Sequence, residues 1–288
     1  MLLFVFCVLA AVLSVNFVDA SHHLRRCLYP SKCEKSFNLI VAGLFQDKLI
    51  PPGDVLDVGA HDGGWSCMYA CLDPERQIHA MDPSPKLIRK MRCPGHDNFH
   101  PYNAAVSNKT GFMNFVDGRI GSGFVDSISN HEVKHEGDVP IETLDRLFLE
   151  VWKSVPGFLH IDVEGFELQA LQGARQIITQ HKPVFSIEIH VVESKDFTLE
   201  IVKYVEELGY YLYMVNEVCG MRVDCRNFIC FPFQASHLEP GPIRPMLDLA
   251  HRTGTLVKVT QTDIFDVFEK VKPSLLGWFD ARVFSLGN

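Results

Sequence analysis

The sequence predicts an α/β protein built around a doubly wound, mostly parallel sheet. Three observations predict it. Short apolar runs alternate with stretches of helical periodicity, as βαβ units do. The first runs close on glycine or an acid where strand would hand over to helix, the rim at which such sheets bind ligands. The composition is that of a packed globule, with 288 residues, 47% hydrophobic and 22% charged. That is too apolar for disorder, and 16 Pro with 20 Gly are too few for a collagenous or low-complexity chain. A formal charge of −8 offers no global attraction to a phosphate backbone, so no nucleic-acid partner is expected.

The elements follow in order. Leu2 to Val15 is almost continuously apolar, and Val18-Asp19-Ala20 ends it with small residues. Residues 1–20 therefore read as a secretory signal peptide cut before Ser21. The run is short for a bilayer span of about 20 residues. An uncleaved signal anchor is the alternative, since no Lys or Arg precedes the run and Arg25-Arg26 follow it. Cleavage removes one charged residue, Asp19, and moves the charge from −8 to −7. The expected location is secreted or the lumen of the secretory pathway, with membrane contact only through an uncleaved anchor.

Cysteine usage agrees with that compartment. Eight remain after Cys7 leaves with the leader: Cys27, Cys33, Cys67, Cys71, Cys93, Cys219, Cys225 and Cys230. An even number there implies disulfides. Cys27 with Cys33, and pairs within Cys219 to Cys230, are near enough in sequence to bond. Cys67 and Cys71 share a helix face without needing to bond each other. Asn108-Lys109-Thr110 is a glycosylation sequon, used if its loop faces the lumen.

A helical lead-in occupies residues 21–50, from about Glu34 to Leu49, and Pro51-Pro52-Gly53 ends it. Strand Asp54–Gly59, helix Trp65–Leu72, strand Gln77–Met81 and helix Pro85–Met91 follow. Later come strand Phe158–Val163, helix Phe166–Gln180 with an apolar face, and strand Pro183–Ile189, apolar as buried parallel strands are. Asp196 opens a helix that Gly209 closes, and strands Tyr210–Val215 and Asn227–Phe231 complete the series. Residues 107–140 interrupt it as a polar loop or hairpin insertion within a domain of residues 51–235. A Pro-rich linker from Pro240 to Pro245 leads into a C-terminal extension, 236–288, whose clear element is Asp263–Val271.

The chemistry is expected at the carboxyl ends of the strands. Val55-Leu56-Asp57-Val58-Gly59-Ala60-His61-Asp62-Gly63-Gly64 supplies a glycine turn, and Asp82 ends the next strand, where an acid can take both ribose hydroxyls. The dinucleotide fingerprint needs glycine where His61 stands, and a phosphate loop needs lysine where Trp65 stands. An acid beside the loop suits instead a nucleoside cofactor without phosphates and with a positive centre, which S-adenosyl-L-methionine is.

Further motifs carry a resemblance. Leu159-His160-Ile161-Asp162-Val163-Glu164-Gly165-Phe166-Glu167 with Ala170-Leu171-Gln172-Gly173-Ala174 resembles the FkbM family of S-adenosylmethionine-dependent methyltransferases. So do the glycine turn, Met81-Asp82-Pro83, Asn103-Ala104-Ala105-Val106 and Thr143-Leu144-Asp145, in the family's order over roughly residues 53–217. The resemblance implies a class I methyltransferase, Rossmann-like fold with a seven-stranded sheet, and methyl transfer, typically to a hydroxyl oxygen. It implies that Asp57, Gly59, Ala60 and Gly63 cradle the methionine part, with His61 beside them among the cofactor-binding residues. Asp82 would bind the ribose, and Asn103 with Ala104 would lie near the adenine.

On the acceptor side, Asp162 and Glu164 end one strand and Glu188 and His190 its neighbour, as candidate catalytic residues. His190 is the natural base by its ordinary pKa, and Asp162 is the alternative if partly buried beside Glu164. A divalent cation on Asp162, Glu164 and Glu188 would serve the same end, but three acids prove no metal and none is assigned. Glu167 reads as a helix-start charge, His160 as a core histidine and Trp65 as helix packing. The expected acceptor is a small-molecule, glycan or lipid hydroxyl. A secreted non-catalytic binding protein on the same fold is the alternative. His131-Glu132-Val133-Lys134-His135 fits a zinc-protease signature, but it sits among polar residues with Gly137 at its end, and a solvated loop is the better reading.

Overall fold

A computed structural model of the chain describes residues 26–28, 34–114, 138–217, 223–233 and 250–270. The leader, Cys33, Cys219, the His131–His135 motif, the middle of the 107–140 insertion and the Pro240–Pro245 linker lie outside the described residues. Among the described residues, no helix is long and apolar enough to cross a membrane.

The core of the fold is a sheet of parallel strands, four of them within two residues of the predicted places and a fifth, Phe99–Asn103, that the sequence reading does not contain. β1 (Asp54–Val58), β2 (Ile78–Asp82) and β3 (Phe99–Asn103) run one way from the centre. β7 (Pro156–Ile161) and β8 (Val184–His190) lie on the other side of β1 and are parallel to it. β10 (Cys225–Pro232) inserts antiparallel between β8 and β9 (Tyr210–Val215). The sheet has eight strands rather than seven. The eighth, β11 (Leu256–Val259), comes from the C-terminal extension and pairs antiparallel with β9. β9 would otherwise be an open edge, and Leu256 and Val259 bury there. A small second sheet orders β4 (Ala105–Val106), β6 (Asp138–Glu142) and β5 (Gly111–Asn114), so the described ends of the insertion pair with each other.

Helices cover both faces. On one face α1 (Lys35–Gln46) and α2 (Gly64–Leu72) bring Phe37, Ile40, Leu44, Met68 and Tyr69 onto Val55, Ile78, Phe158 and Val184. α3 (Pro85–Lys90) follows β2, its proline preset for the first turn and its Leu87 N–H capped by the Ser84 hydroxyl at 3.2 Å. α4 (Leu144–Arg146), which continues as a wider π-helical stretch over Leu147–Trp152, lies with the other face. So do α5 (Glu167–Gln172), α6 (Arg175–His181) and α7 (Lys195–Glu207). They pack Leu171, Ile177, Ile178, Ile201 and Val205 on Leu56, Val58, Ile161 and Phe185. α8 (Ile264–Lys270) closes the described chain.

The single helix expected from Phe166 to Gln180 is two helices. A side chain at Gly173 would strike the Ser107 carbonyl, so the chain presses backbone to backbone there. The Asp145 carboxylate then restarts the helix, accepting from the N–H groups of Gln176 (3.0 Å) and Ile177 (2.8 Å).

The cysteine pairing also differs from the short-range one. Cys27 bonds Cys71 and Cys67 bonds Cys93. The two α2 cysteines share a face as expected, and each reaches a separate segment. Cys230 is a free thiol buried in β10, where desolvation pushes its pKa well up.

Candidate active site

The parallel register brings the strand-end candidates to one rim. Val58 pairs with Met81 and with Ile161, Asp82 with Asn103, and Ile161 with Ile187. Gly59, Asp82, Asn103, Asp162 and Glu188 are thereby neighbours across the sheet.

Asp57 forms the floor. It is 1% exposed, and its Oδ1 lies 2.9 Å from His160 Nδ1 while its Oδ2 accepts from the Ser66 hydroxyl. His160 is the packed and paired core histidine that its place in a strand suggested, with the rings of Phe37, Trp65 and Tyr69 around it at 5.5, 5.8 and 6.2 Å. Trp65 also meets Phe37 edge-on at 5.1 Å, as helix packing.

Above that floor the glycine turn crosses the rim. Gly59 has φ +81°, and a Cβ there would collide with the Asp162 carbonyl. Only glycine lets the chain leaving β1 lie against the chain leaving β7. The N–H groups of Gly59 and Ala60 both donate to the Met81 carbonyl, at 2.8 and 2.9 Å. His61 is exposed at φ +49°, and its N–H donates to Asp82 Oδ2 at 3.0 Å. Gly63, at φ +80°, rests on Met91, which a Cβ would meet at 2.6 Å. The Asp62 carboxylate accepts from the Gly64 N–H at 3.0 Å and starts α2.

Asp82 is thus clamped between two loops, its Oδ1 accepting from the Ser84 N–H at 2.8 Å. Burial pushes its pKa up, against the pull of those two backbone donors. Asn103 Nδ2 donates to the carbonyls of Asp82 (2.9 Å) and Pro83 (3.0 Å), bracing the end of β2, with Ala104 buried behind.

On the other half of the rim, β7 ends at Ile161, so Asp162 and Glu164 stand in the turn beyond it rather than in the strand. Glu164 takes φ +50° and Gly165 φ +102°. Glu167 is buried, and both carboxylate oxygens accept from the Gly165 N–H (2.9 and 3.1 Å), so it holds this turn as well as opening α5. His190 Nε2 lies 3.8 Å from both Glu164 and Glu188. Its Nδ1 lies 3.4 Å from Asp224 and 3.7 Å from Glu193. Burial, then Glu188, Glu164, Glu167 and Glu34, raise the Asp162 pKa well above the carboxylate range.

Three contributors escape sequence reasoning: Glu34, Glu217 and Asp224. Glu34 Oε1 accepts from Asn227 Nδ2 at 2.9 Å, and burial, then Glu188, push its pKa up. Glu217 accepts from the Ser36 and Phe37 N–H groups at 2.7 and 3.1 Å, an acid on the start of α1. These residues sit far from the motifs in sequence and carry no spacing signal. Ligand atoms of His190, Glu193 and Asp224, and of Glu188, His190 and Cys225, come within 4.8 Å of one another. The geometry would admit a cation at either set. Asp162, Glu164 and Glu188, the trio considered from sequence, form neither.

The chain is similar to known proteins. Hexuronic acid methyltransferase AglP of Haloferax volcanii is 29% identical over 154 residues, covering 50% of this chain. The chain spans 60% of that relative's length. Among solved structures, methyltransferase FkbM of Methylobacillus flagellatus gives a TM-score of 0.46 at 14% identity, over 76% of this chain and 60% of that one. The plantazolicin methyltransferase BpumL, solved with S-adenosylhomocysteine, gives 0.36 at 10% identity, over 77% and 98%. Likenesses that loose carry no argument. The methyltransferase FkbM domain, however, matches residues 57–212, from the buried Asp57 through both halves of the rim. The chain belongs to the FkbM methyltransferase family.

Proposed function

We propose that the chain transfers a methyl group from S-adenosyl-L-methionine to a hydroxyl oxygen of a small-molecule, glycan or lipid acceptor in the secretory pathway. The observation that carries this reading is the direct bond between the two predicted halves of the donor site, His61 N–H to Asp82 at 3.0 Å. The residues fit the group. The crevice offers carboxylates and backbone donors, which suit ribose hydroxyls and a positive centre and would repel a pyrophosphate.

Each clamped Asp82 oxygen keeps a further lone pair for a ribose hydroxyl. Gly59, Ala60 and Gly63 set the backbone against the methionine part, and Asn103 with Ala104 backs the adenine. When bound, the cofactor supplies a methyl carbon whose bond to sulfur breaks, the electron pair returning to sulfur, as the bond to the acceptor oxygen forms. His190 Nε2 takes the hydroxyl proton, and Glu164 and Glu188 at 3.8 Å stabilise the imidazolium. Alignment of the two reactants supplies much of the acceleration.

Three features support secretory placement: the apolar leader, the disulfides Cys27–Cys71 and Cys67–Cys93, and the exposed Asn108-Lys109-Thr110 turn, which would carry an N-linked glycan once the Asn108 amide leaves Gln172. Calorimetric titration of the disulfide-intact chain with S-adenosylhomocysteine tests the donor site. Binding is expected, and it should fall at least about tenfold in Asp82→Ala, the loss of one charged hydrogen-bond acceptor. No binding, or equal binding by the variant, overturns the reading and favours a non-catalytic protein. Labelled methyl transfer into candidate hydroxyl acceptors then tests turnover.

A further inference from the structure

Two backbone donors reach Asp82 from opposite directions, His61 from the glycine turn and Ser84 from the start of α3. Neither donor stands on a strand, so the clamp depends on what holds the turn and α3 against each other. Met91 meets both. Its N–H donates to the carbonyls of Leu87 (2.9 Å) and Ile88 (3.3 Å), which closes the far end of α3. Met91 is 1% exposed and packs with Ala60 and Ala80 under the turn, flanked by Ile88 and Phe99. Gly63 rests on its Cγ so closely that a Cβ would not fit between them.

These contacts close a ring. From Asp82 it runs through Ser84 and α3 to Met91, across to Gly63 and Ala60, and back through His61 to Asp82. A second ring braces the first. The Cys67 N–H donates to the Gly63 carbonyl at 2.8 Å in the first turn of α2, and Cys67 is bonded to Cys93, two residues beyond Met91. That bridge ties the helix that follows the turn to the segment that carries the wedge. The other bridge, Cys27–Cys71, sits one helical turn further from Gly63 and ties α2 to the lead-in instead.

The parts that Met91 joins have little to hold them otherwise. α3 is six residues long and none of them is buried, so it leans on Ser84 and Met91 at its two ends. The N–H groups of Gly59 and Ala60 pin the near end of the turn to the Met81 carbonyl, and the far end, at Gly63, has Met91 beneath it. His61 lies between those ends. Short helices and turns are marginal in water, so a cavity in place of Met91 frees the far end while the sheet stays intact.

We propose that Met91 is a positioning residue of the donor site. Held by the Cys67–Cys93 bridge, it keeps the His61 and Ser84 donors on Asp82 in the arrangement that takes the cofactor ribose. The proposal rests on the methyltransferase reading above and leaves the transfer step unchanged.

The test is calorimetric titration of the full chain with S-adenosylhomocysteine, at a temperature where circular dichroism shows each variant folded. Met91→Ala should weaken binding about tenfold, the loss expected when the turn is competent about a tenth of the time. Met91→Leu, close in volume, should restore affinity to within about twofold of the parent. Cys67→Ser/Cys93→Ser should weaken binding about as much as Met91→Ala. Cys27→Ser/Cys71→Ser opens the longer loop, 44 residues against 26, yet should leave affinity unchanged. A merely stabilising role would give the reverse order, since the longer loop contributes more. In Met91→Ala/Asp82→Ala the two losses should fall short of multiplying, because the wedge acts through the clamp. Parent-like affinity in both Met91→Ala and Cys67→Ser/Cys93→Ser overturns the proposal. So do equal losses from the two bridge variants, or losses that multiply in full with Asp82→Ala. If Cys67→Ser/Cys93→Ser does not fold, Met91→Ala against Met91→Leu decides. Failure of the parent to bind strikes the donor reading and takes this one with it. Retained binding that is indifferent to Met91 strikes this one alone.

Discussion

Replacing Asp57 by alanine separates a structural role from a cofactor-binding one. The residue is 1% exposed, and its two oxygens are engaged by His160 at 2.9 Å and by Ser66. Alanine removes both partners at once. It leaves a histidine that is 4% exposed and a serine hydroxyl that is fully buried without the acceptor they share. Breaking a buried pair by deleting one member costs about 3–5 kcal/mol, because the remaining groups stay desolvated. In a domain of this size each kcal/mol lowers Tm by roughly 2–4 °C, so the variant should melt about 6–20 °C below the parent. Asp57→Asn keeps the shape and one acceptor and should lose about half as much. Thermal melts followed by far-ultraviolet circular dichroism give the comparison, with S-adenosylhomocysteine affinity measured well below the transition. A Tm within about 2 °C of the parent, together with lost affinity, would refute this reasoning and make Asp57 a direct ligand.

Other perturbations act on separate parts of the frame. Gly59→Ala places a methyl group against the Asp162 carbonyl at φ +81° and should cost about 3 kcal/mol or more, read by urea unfolding; a loss under 1 kcal/mol would show that the two loops can part freely. Glu34, Asp82, Asp162, Glu167 and Glu217 all have pKa values raised by burial first. The folded chain therefore holds protons that the unfolded chain releases, and stability should fall as pH climbs above the ordinary carboxylate range of about 4, with Tm rising instead as the contrary result. Asp54 runs the opposite way: burial pushes it up, but His79, Ser154 and His100 together outweigh burial and lower it, so its contribution is lost only as pH falls through the acid range. Reduction of both disulfides, closing separations of 44 and 26 residues, removes about 4 and about 3.5 kcal/mol on loop entropy. A thiol-treated sample melting within about 5 °C of the oxidised one would contradict that.

What the sequence disclosed follows from physical periodicity. β1, β2, β7 and β8 are buried on both faces and read as short apolar runs, so their alternation with helices was plain. β3 reads Phe-His-Pro-Tyr-Asn and lies at an edge of the main sheet, where a proline without an N–H costs little and half-exposed side chains blur the pattern. β11 is a four-residue edge strand with Lys258 turned outward, and too short to stand out. The break at Gly173 comes from Ser107, more than sixty residues earlier, which no local window contains. In the site, motif residues announced themselves by spacing. Asp57 was legible as part of the turn, though not that its carboxylate faces inward. Glu34, Glu217 and Asp224 reach the rim only through the meeting of α1, β9 and β10.

The two bridges on α2 set a problem for the chain as it matures. Cys67 and Cys71 stand one helical turn apart, so the four thiols can join in three ways, and exchanging the two helical partners shifts each bond by about 6 Å of rise. Such an isomer would still close, with α2 slid or rotated and Gly63 drawn off Met91. Material oxidised without a reshuffling catalyst should therefore contain a fraction that is soluble, fully oxidised and blind to the donor. Peptide mapping of the bridges, rather than a thiol count, is what distinguishes that fraction from competent protein.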